Sequence, residues 1–181
     1  IEYLTGRKQL VNGQVNEAEK TWRSVAEGPY ARSRGRARFV MVERDLAAGR
    51  IDVPEAIDRL EKLRFAWRGD TFEAILLHRL ADLYLQNKQY ARALRSLQDV
   101  ANHLSGLQRA ELAAKRMREI FQRLFLQGEA DTLNPLDALT IYEQFRELTP
   151  AGEKGNRMLS DLVDRLVNVD LLDSAAKLLG G

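Results

Sequence analysis

Between Ala74 and Leu104 the apolar positions recur at helical spacing. Leu77, Leu80, Ala81 and Tyr84 fall on one stripe of a 3.6-residue helix. A short polar break, Gln86-Asn87-Lys88-Gln89, leads to Tyr90, and Ala93, Leu97 and Val100 form the stripe of a second helix. Two amphipathic helices joined by so short a turn pack antiparallel. A small residue at Ala93 lets the two backbones approach, and Tyr84 and Tyr90 fill the angle between them.

The same alternation recurs along the chain. Near the start, Gly6, Gly13, Val15, Ala18, Trp22 and Val25 repeat it. Phe39, Val42 and Leu46 lead through Gly49 to Val53, Ala56, Leu60 and Leu63. A fourth unit has Met117, Ile120, Phe121 and Leu124, then a longer turn from Gly128 to Pro135, then Ala138, Tyr142, Phe145 and Pro150. A fifth has Leu159, Leu162, Val163 and Leu166, then Leu172, Ala175 and Leu179. The equivalent alanines, Ala18, Ala56, Ala93, Ala138 and Ala175, stand 38, 37, 45 and 37 residues apart. Nearly constant spacing of one small residue is what stacked hairpins require. The pattern predicts five hairpins over residues 1–28, 36–66, 74–104, 108–149 and 154–179.

The unit at 74–104 resembles the tetratricopeptide repeat (TPR). The family's large-apolar, Leu, small and Tyr positions correspond to Leu77, Leu80, Ala81 and Tyr84. Its aromatic, Ala, bulky and small-apolar positions correspond to Tyr90, Ala93, Leu97 and Val100. Lys88 stands where the family has a turn glycine. The resemblance implies an all-α, right-handed α-solenoid occupying residues 1–181, with first helices lining a concave face and second helices a convex one. At the last hairpin, Gly180-Gly181 is a stop signal, while Leu171, Leu172, Leu178 and Leu179 form an apolar face that calls for a neighbour. The expectation is a segment of a longer protein.

Composition agrees with a folded helical domain: 45% hydrophobic, 30% charged, and only four prolines in 181 residues. Of these, Pro54 and Pro135 sit at expected helix starts. Cysteine is absent, which excludes disulfides and thiolate chemistry. No apolar run approaches the ~18 residues of a membrane span. The net charge is +2, but it is unevenly spread. Residues 1–68 hold 14 basic and 10 acidic side chains, residues 69–128 hold 9 and 6, and residues 129–181 hold 5 and 10. The 21 Arg against 7 Lys, beside plentiful Ala and Leu, fit a GC-rich bacterial genome. The compartment, cytoplasmic or periplasmic, stays open.

Candidate chemistry is sparse. His78 and His103 belong to different helices, and neither has metal-ligand spacing to a carboxylate pair. His78 and Asp82 share a helix face, which is more often a solvated pair than a catalytic one. No phosphate loop, dinucleotide motif, zinc-protease motif or serine elbow occurs. The expectation is a protein that is not an enzyme and takes no metal or cofactor.

Two local features stand out. In Tyr30-Ala31-Arg32-Ser33-Arg34-Gly35-Arg36-Ala37-Arg38, four arginines alternate with small residues and no acid interrupts them. One reading of Arg32, Arg34, Arg36 and Arg38 is an anion contact, since the guanidinium fork matches phosphates and carboxylates. The plainer reading is a loop leading into the solvated start of the second hairpin, and it is preferred because nucleic-acid binders carry a far larger basic balance. Trp67 lies at a hairpin junction and is expected to pack between repeats. Trp22 holds a core position.

The expected function is to hold a peptide or helix of a partner protein in the concave groove. The non-core positions of the first helices nominate Arg44, His78, Arg79, Asp82, Lys115, Arg118 and Gln122 as partner contacts. Arg79, Lys115 and Arg118 suit an acidic partner. The Lys, Asn and Arg set with which one TPR subfamily clamps chaperone C-termini is not reproduced at Val40, Arg44, His78 and Asp82. The alternative is a structural spacer or self-association segment, with the basic N-terminal and acidic C-terminal thirds pairing head to tail. Nucleic-acid binding through the arginine stretch or Lys115-Arg116-Met117-Arg118 is the less favoured third reading.

Overall fold

The computed structural model describes residues 2–66, 71–103 and 107–180, with the side chains of His103 and Leu107 outside the description. Trp67, Leu104 and Gly181 therefore lie outside the described residues, as does the packing expected of Trp67. Ten α-helices follow one another, and no strand occurs among the described residues. They are α1 (Glu2–Val11), α2 (Val15–Glu27), α3 (Ala31–Ala47), α4 (Val53–Ala66), α5 (Thr71–Gln86), α6 (Tyr90–His103), α7 (Leu107–Leu126), α8 (Pro135–Gln144), α9 (Glu153–Asn168) and α10 (Leu172–Leu179). The all-helical fold read from the periodicity is the fold observed.

Four of the hairpin turns are built alike. Gly13, Gly49, Lys88 and Asp170 adopt left-handed backbone, with φ of 77°, 67°, 54° and 60°. The amide after each reaches back across the helix end: Gln14 to the Gln9 carbonyl at 2.9 Å, Arg50 to Asp45 at 2.8 Å, Gln89 to Tyr84 at 2.8 Å and Leu171 to Leu166 at 2.9 Å. This satisfies carbonyls that a helix end leaves open and reverses the chain within three residues. Lys88 adopts the turn conformation without being a glycine, at the steric cost a Cβ carries there. The fourth turn differs. Gly128 (φ 79°) opens a short 3₁₀ turn over Glu129–Thr132. Asn134 then caps α8 by accepting from the Leu136 amide at 2.9 Å, with Pro135 in the first turn.

The chain divides into two compact units, residues 1–109 and 110–181. In the first, the eight positions of the best hairpin, Leu77, Leu80, Ala81, Tyr84, Tyr90, Ala93, Leu97 and Val100, are all buried. Trp22 is also buried, packed with Ala18, Val25 and Ala37, and its indole N–H donates to the Tyr3 carbonyl at 3.2 Å. Gly6 lies under that ring, so close that a Cβ there would fall 2.4 Å from Trp22 Nε1. In the second unit, Phe121, Phe125 and Tyr142 stack α7 on α8, with ring centroids 4.8 to 5.9 Å apart. Met158, Leu162 and Leu166 of α9 are buried in the same unit. All five repeat alanines are buried.

One element starts earlier than its pattern predicts. The second hairpin opens at Ala31 rather than at residue 36, so the arginine stretch is the first two turns of α3 and not a loop. Arg and Ala are strong helix formers.

Candidate functional site

Helix geometry sorts the four arginines into two pairs, because residues four apart share a face. Arg34 donates to the Gly28 carbonyl at 2.9 Å and more distantly to that of Pro29, and Arg38 Nε donates to the Ala26 carbonyl at 3.2 Å. These are the carbonyls at the end of α2, where the helix dipole is negative. Two of the four cations therefore cap the preceding helix. Arg32 and Arg36 are exposed, and neither forms a hydrogen bond or ion pair with the described residues.

First helices α3 and α5 lie side by side. Phe39 and Phe72 meet edge to face at 5.7 Å, and Arg79 Nε donates to Glu43 Oε1 at 2.8 Å. Along α3 the positions Arg36, Val40, Glu43 and Ala47 share a face, with Val40 packed in part against the Trp22 cluster, and α5 carries Ile75, Arg79, Asp82 and Gln86. Both run at spacings of four, three and four. Ile75 is 50% exposed, a large apolar side chain in an otherwise polar strip. His78 and Asp82 are half-buried beside it.

Arg44 is drawn toward α2 instead, where its Nε donates to Glu19 Oε1 at 2.8 Å, with Arg50 reaching the same oxygen at 3.2 Å. The Arg44 hydrogen bond is the largest influence holding the Glu19 carboxyl below its ordinary value, opposed by partial burial and aided by Arg50. In the second unit, Lys115 and Glu119 form an exposed pair along α7 at 3.9 Å, Arg118 is exposed and Gln122 is half-buried. Met117 is buried, so the run Lys115–Arg118 wraps around the helix and does not make one basic patch.

The candidates thus fall into two groups: Arg44, His78, Arg79 and Asp82 belong to the first unit, and Lys115, Arg118 and Gln122 to the second. Glu43 went unnoticed in the sequence. It stands 36 residues before Arg79, about one repeat, and opposite charges at one repeat's separation are the available signal. Asp99 and Arg64, 35 residues apart and 2.5 Å in contact, obey the same rule.

On the other side of the first unit, α4, α5 and α6 enclose a cleft of about 550 Å³. It is lined by charged and apolar groups together, among them Ile57, Glu61, Arg64, Phe65, Arg92 and Arg95. Its floor is a structural lock. The Tyr84 hydroxyl donates to Glu61 Oε1 at 2.5 Å, and the Arg92 guanidinium lies 5.5 Å from the centre of the Tyr84 ring. Burial, and then the bond to Glu61, push the Tyr84 phenol well above its ordinary value. The hydroxyl stays protonated as a donor joining α4 to α5. Among the described residues no group of three His, Asp or Glu side chains is placed to hold a metal ion.

The described helices form repeated antiparallel hairpins. Five buried alanines at the repeat interval and four matching left-handed turns carry that description. No family model matches the chain, and no curated protein matches it either. Two solved structures described as TPR-like repeats of a kinesin light chain from Podosopora anserina are similar, the second being a point variant of the first. Each is 20% identical over 99% of this chain and 90% of that one, with TM-scores of 0.47 and 0.45. No described helix is long and apolar enough to cross a membrane.

Proposed function

We propose that this helical-repeat scaffold holds an extended or helical peptide of a partner protein along the face shared by α3 and α5. The observation that carries the reading is the Glu43–Arg79 pair. It joins α3 to α5, where Ile75 is exposed on the same face of α5 as Asp82, and Arg36 is exposed on α3. Such a strip offers one apolar anchor within a polar surround, the usual anatomy of a peptide-binding patch. Arg79 contributes by keeping α3 and α5 in register, while Ile75 and Arg36 supply the contact energy. Lys115, Arg118 and Gln122 form a separate polar strip on α7 of the second unit.

Panning a random peptide library on the immobilised chain tests this. Enriched peptides are expected to pair an apolar residue with an acidic one. Their binding should be lost in Ile75→Asp with Arg36→Glu, and kept in Lys62→Glu, which alters a different face. Enriched peptides that bind the double variant as well as the parent would refute the assignment of the face, and no enrichment would refute the peptide-holding reading itself.

A further inference from the structure

A smaller pocket lies between α2, α3 and α4, with a volume of about 280 Å³. Ala26, Met41, Val42, Leu63 and Ala66 form its apolar floor, and Arg38, Arg59 and Lys62 stand around it. Among the described residues no carboxylate lines it. The volume falls just short of the ~300–1,000 Å³ usual for small-molecule sites and suits one or two side chains. Arg59 is held by Glu55 at 2.6 Å and by Asp45 at 3.1 Å. Among the described residues Lys62 makes only an exposed i,i+4 contact with Asp58, and Arg38 meets a backbone carbonyl. Exposed i,i+4 pairs are worth a few tenths of a kcal/mol, so Lys62 is readily redirected, and Arg38, held by a carbonyl at the end of α2, has no carboxylate partner among the described residues.

The complement of this pocket is on the second unit of the same chain. At the corner joining α9 to α10, Val167, Val169 and Leu172 are 46%, 48% and 56% exposed. Asp164, Asp170 and Asp173 are exposed among them. The one cation in that run, Arg165, is turned away, donating to the Ala130 and Leu133 carbonyls at 2.7 and 3.1 Å. Asp170 holds the tight left-handed turn (φ 60°), so the corner is a preformed knob and not a loose tail. The unit charges agree: residues 1–109 hold 19 basic and 14 acidic side chains, and residues 110–181 hold 9 and 12.

We infer that the α9–α10 corner of one copy docks into the α2–α3–α4 pocket of a second copy, with Leu172 or Val169 on the apolar floor and the aspartates facing Arg38 and Lys62. The two surfaces differ, so the contact is head-to-tail and leaves a free pocket at one end and a free corner at the other. It propagates into chains or rings. This is independent of the peptide face on α3 and α5.

The test is sedimentation of the whole chain at low salt over a concentration series, with paired charge reversals. The parent is expected to grow in mass with concentration and to lose that association at high salt, where charges are screened within ~3 Å at 1 M. Arg38→Glu with Lys62→Glu gives a copy acidic on both surfaces, and Asp164→Arg with Asp173→Lys gives one basic on both. Each alone is expected to associate at least tenfold more weakly than the parent, and an equimolar mixture should regain association. Circular dichroism checks that both variants are folded, and recovery in the mixture separates lost contact from lost fold. A parent that stays monomeric at its highest soluble concentration would overturn the proposal, as would association that persists in either folded variant alone.

Discussion

Substituting Gly6 by alanine probes the tightest contact in the first hairpin. Gly6 is buried in α1 against the indole of Trp22, and an added Cβ would sit 2.4, 2.7 and 2.8 Å from Nε1, Cε2 and Cδ1 of that ring. Those atoms belong to a rigid bicycle that is itself 1% exposed, so the ring cannot swing aside without displacing Ala18, Val25 or Ala37. Overpacking of this kind costs about 1–3 kcal/mol. Shifting the ring also endangers the indole hydrogen bond to the Tyr3 carbonyl, worth ~1 kcal/mol. Against this, alanine is favoured over glycine within a helix by ~1 kcal/mol. The balance is a net loss of about 1–3 kcal/mol. Urea unfolding followed by tryptophan fluorescence and circular dichroism should show a lower midpoint with an unchanged slope. In a double-mutant cycle with Trp22→Phe, which removes the indole nitrogen, the two substitutions should be coupled by at least ~1 kcal/mol. A midpoint equal to or above the parent's would mean that helix propensity is the only effect, and that α1 does not sit close on Trp22.

Three further outcomes are expected. Lys88→Gly should raise stability by about 0.5–1 kcal/mol in the same unfolding assay, because it relieves the left-handed strain at φ 54° while keeping the turn; a loss would mean that the Lys88 side chain contributes more than its backbone costs. Glu19 has a depressed carboxyl value relative to 4.5, so its stabilisation is present above that pH and is lost as pH falls through the lower, folded value; Glu19→Gln should therefore be less stable than the parent at neutral pH and fall less steeply on acidification below about 4.5, measured by thermal melts across that range. Tyr84 has a raised phenol value, so its contribution is complete below the ordinary 10 and declines as pH climbs above it; Tyr84→Phe should cost about 1 kcal/mol at neutral pH by removing the hydroxyl donor to Glu61, which keeps Arg64 at 3.5 Å, and its alkaline decline should be shallower.

How much of this could be read in advance differs from residue to residue. Ala18, Ala56, Ala93, Ala138, Ala175, Tyr84 and Tyr90 were legible as buried positions, because helix amphipathicity is a local, periodic property that needs no knowledge of neighbours. The left-handed turns at Gly13 and Gly49 were legible for the same reason. Lys88 was found by its place in the repeat, although its residue type argues against the conformation. The arginine stretch shows the limit. The stretch reads as a loop leading into the second hairpin when its charge alone is weighed; Arg34 and Arg38 instead satisfy the carbonyls ending α2, a contact made only when the hairpins stack. Arg79 was nominated as a partner contact on its helix face alone, and packing gave it Glu43. The apolar pattern by itself determined the succession of helices, the start of α3 apart, and most of the side each one buries, since those follow from periods of a few residues. Which charges are consumed between repeats, and which remain for a partner, was decided by the tertiary structure, because an ion pair depends on distances across elements about 35 residues apart that no local pattern encodes.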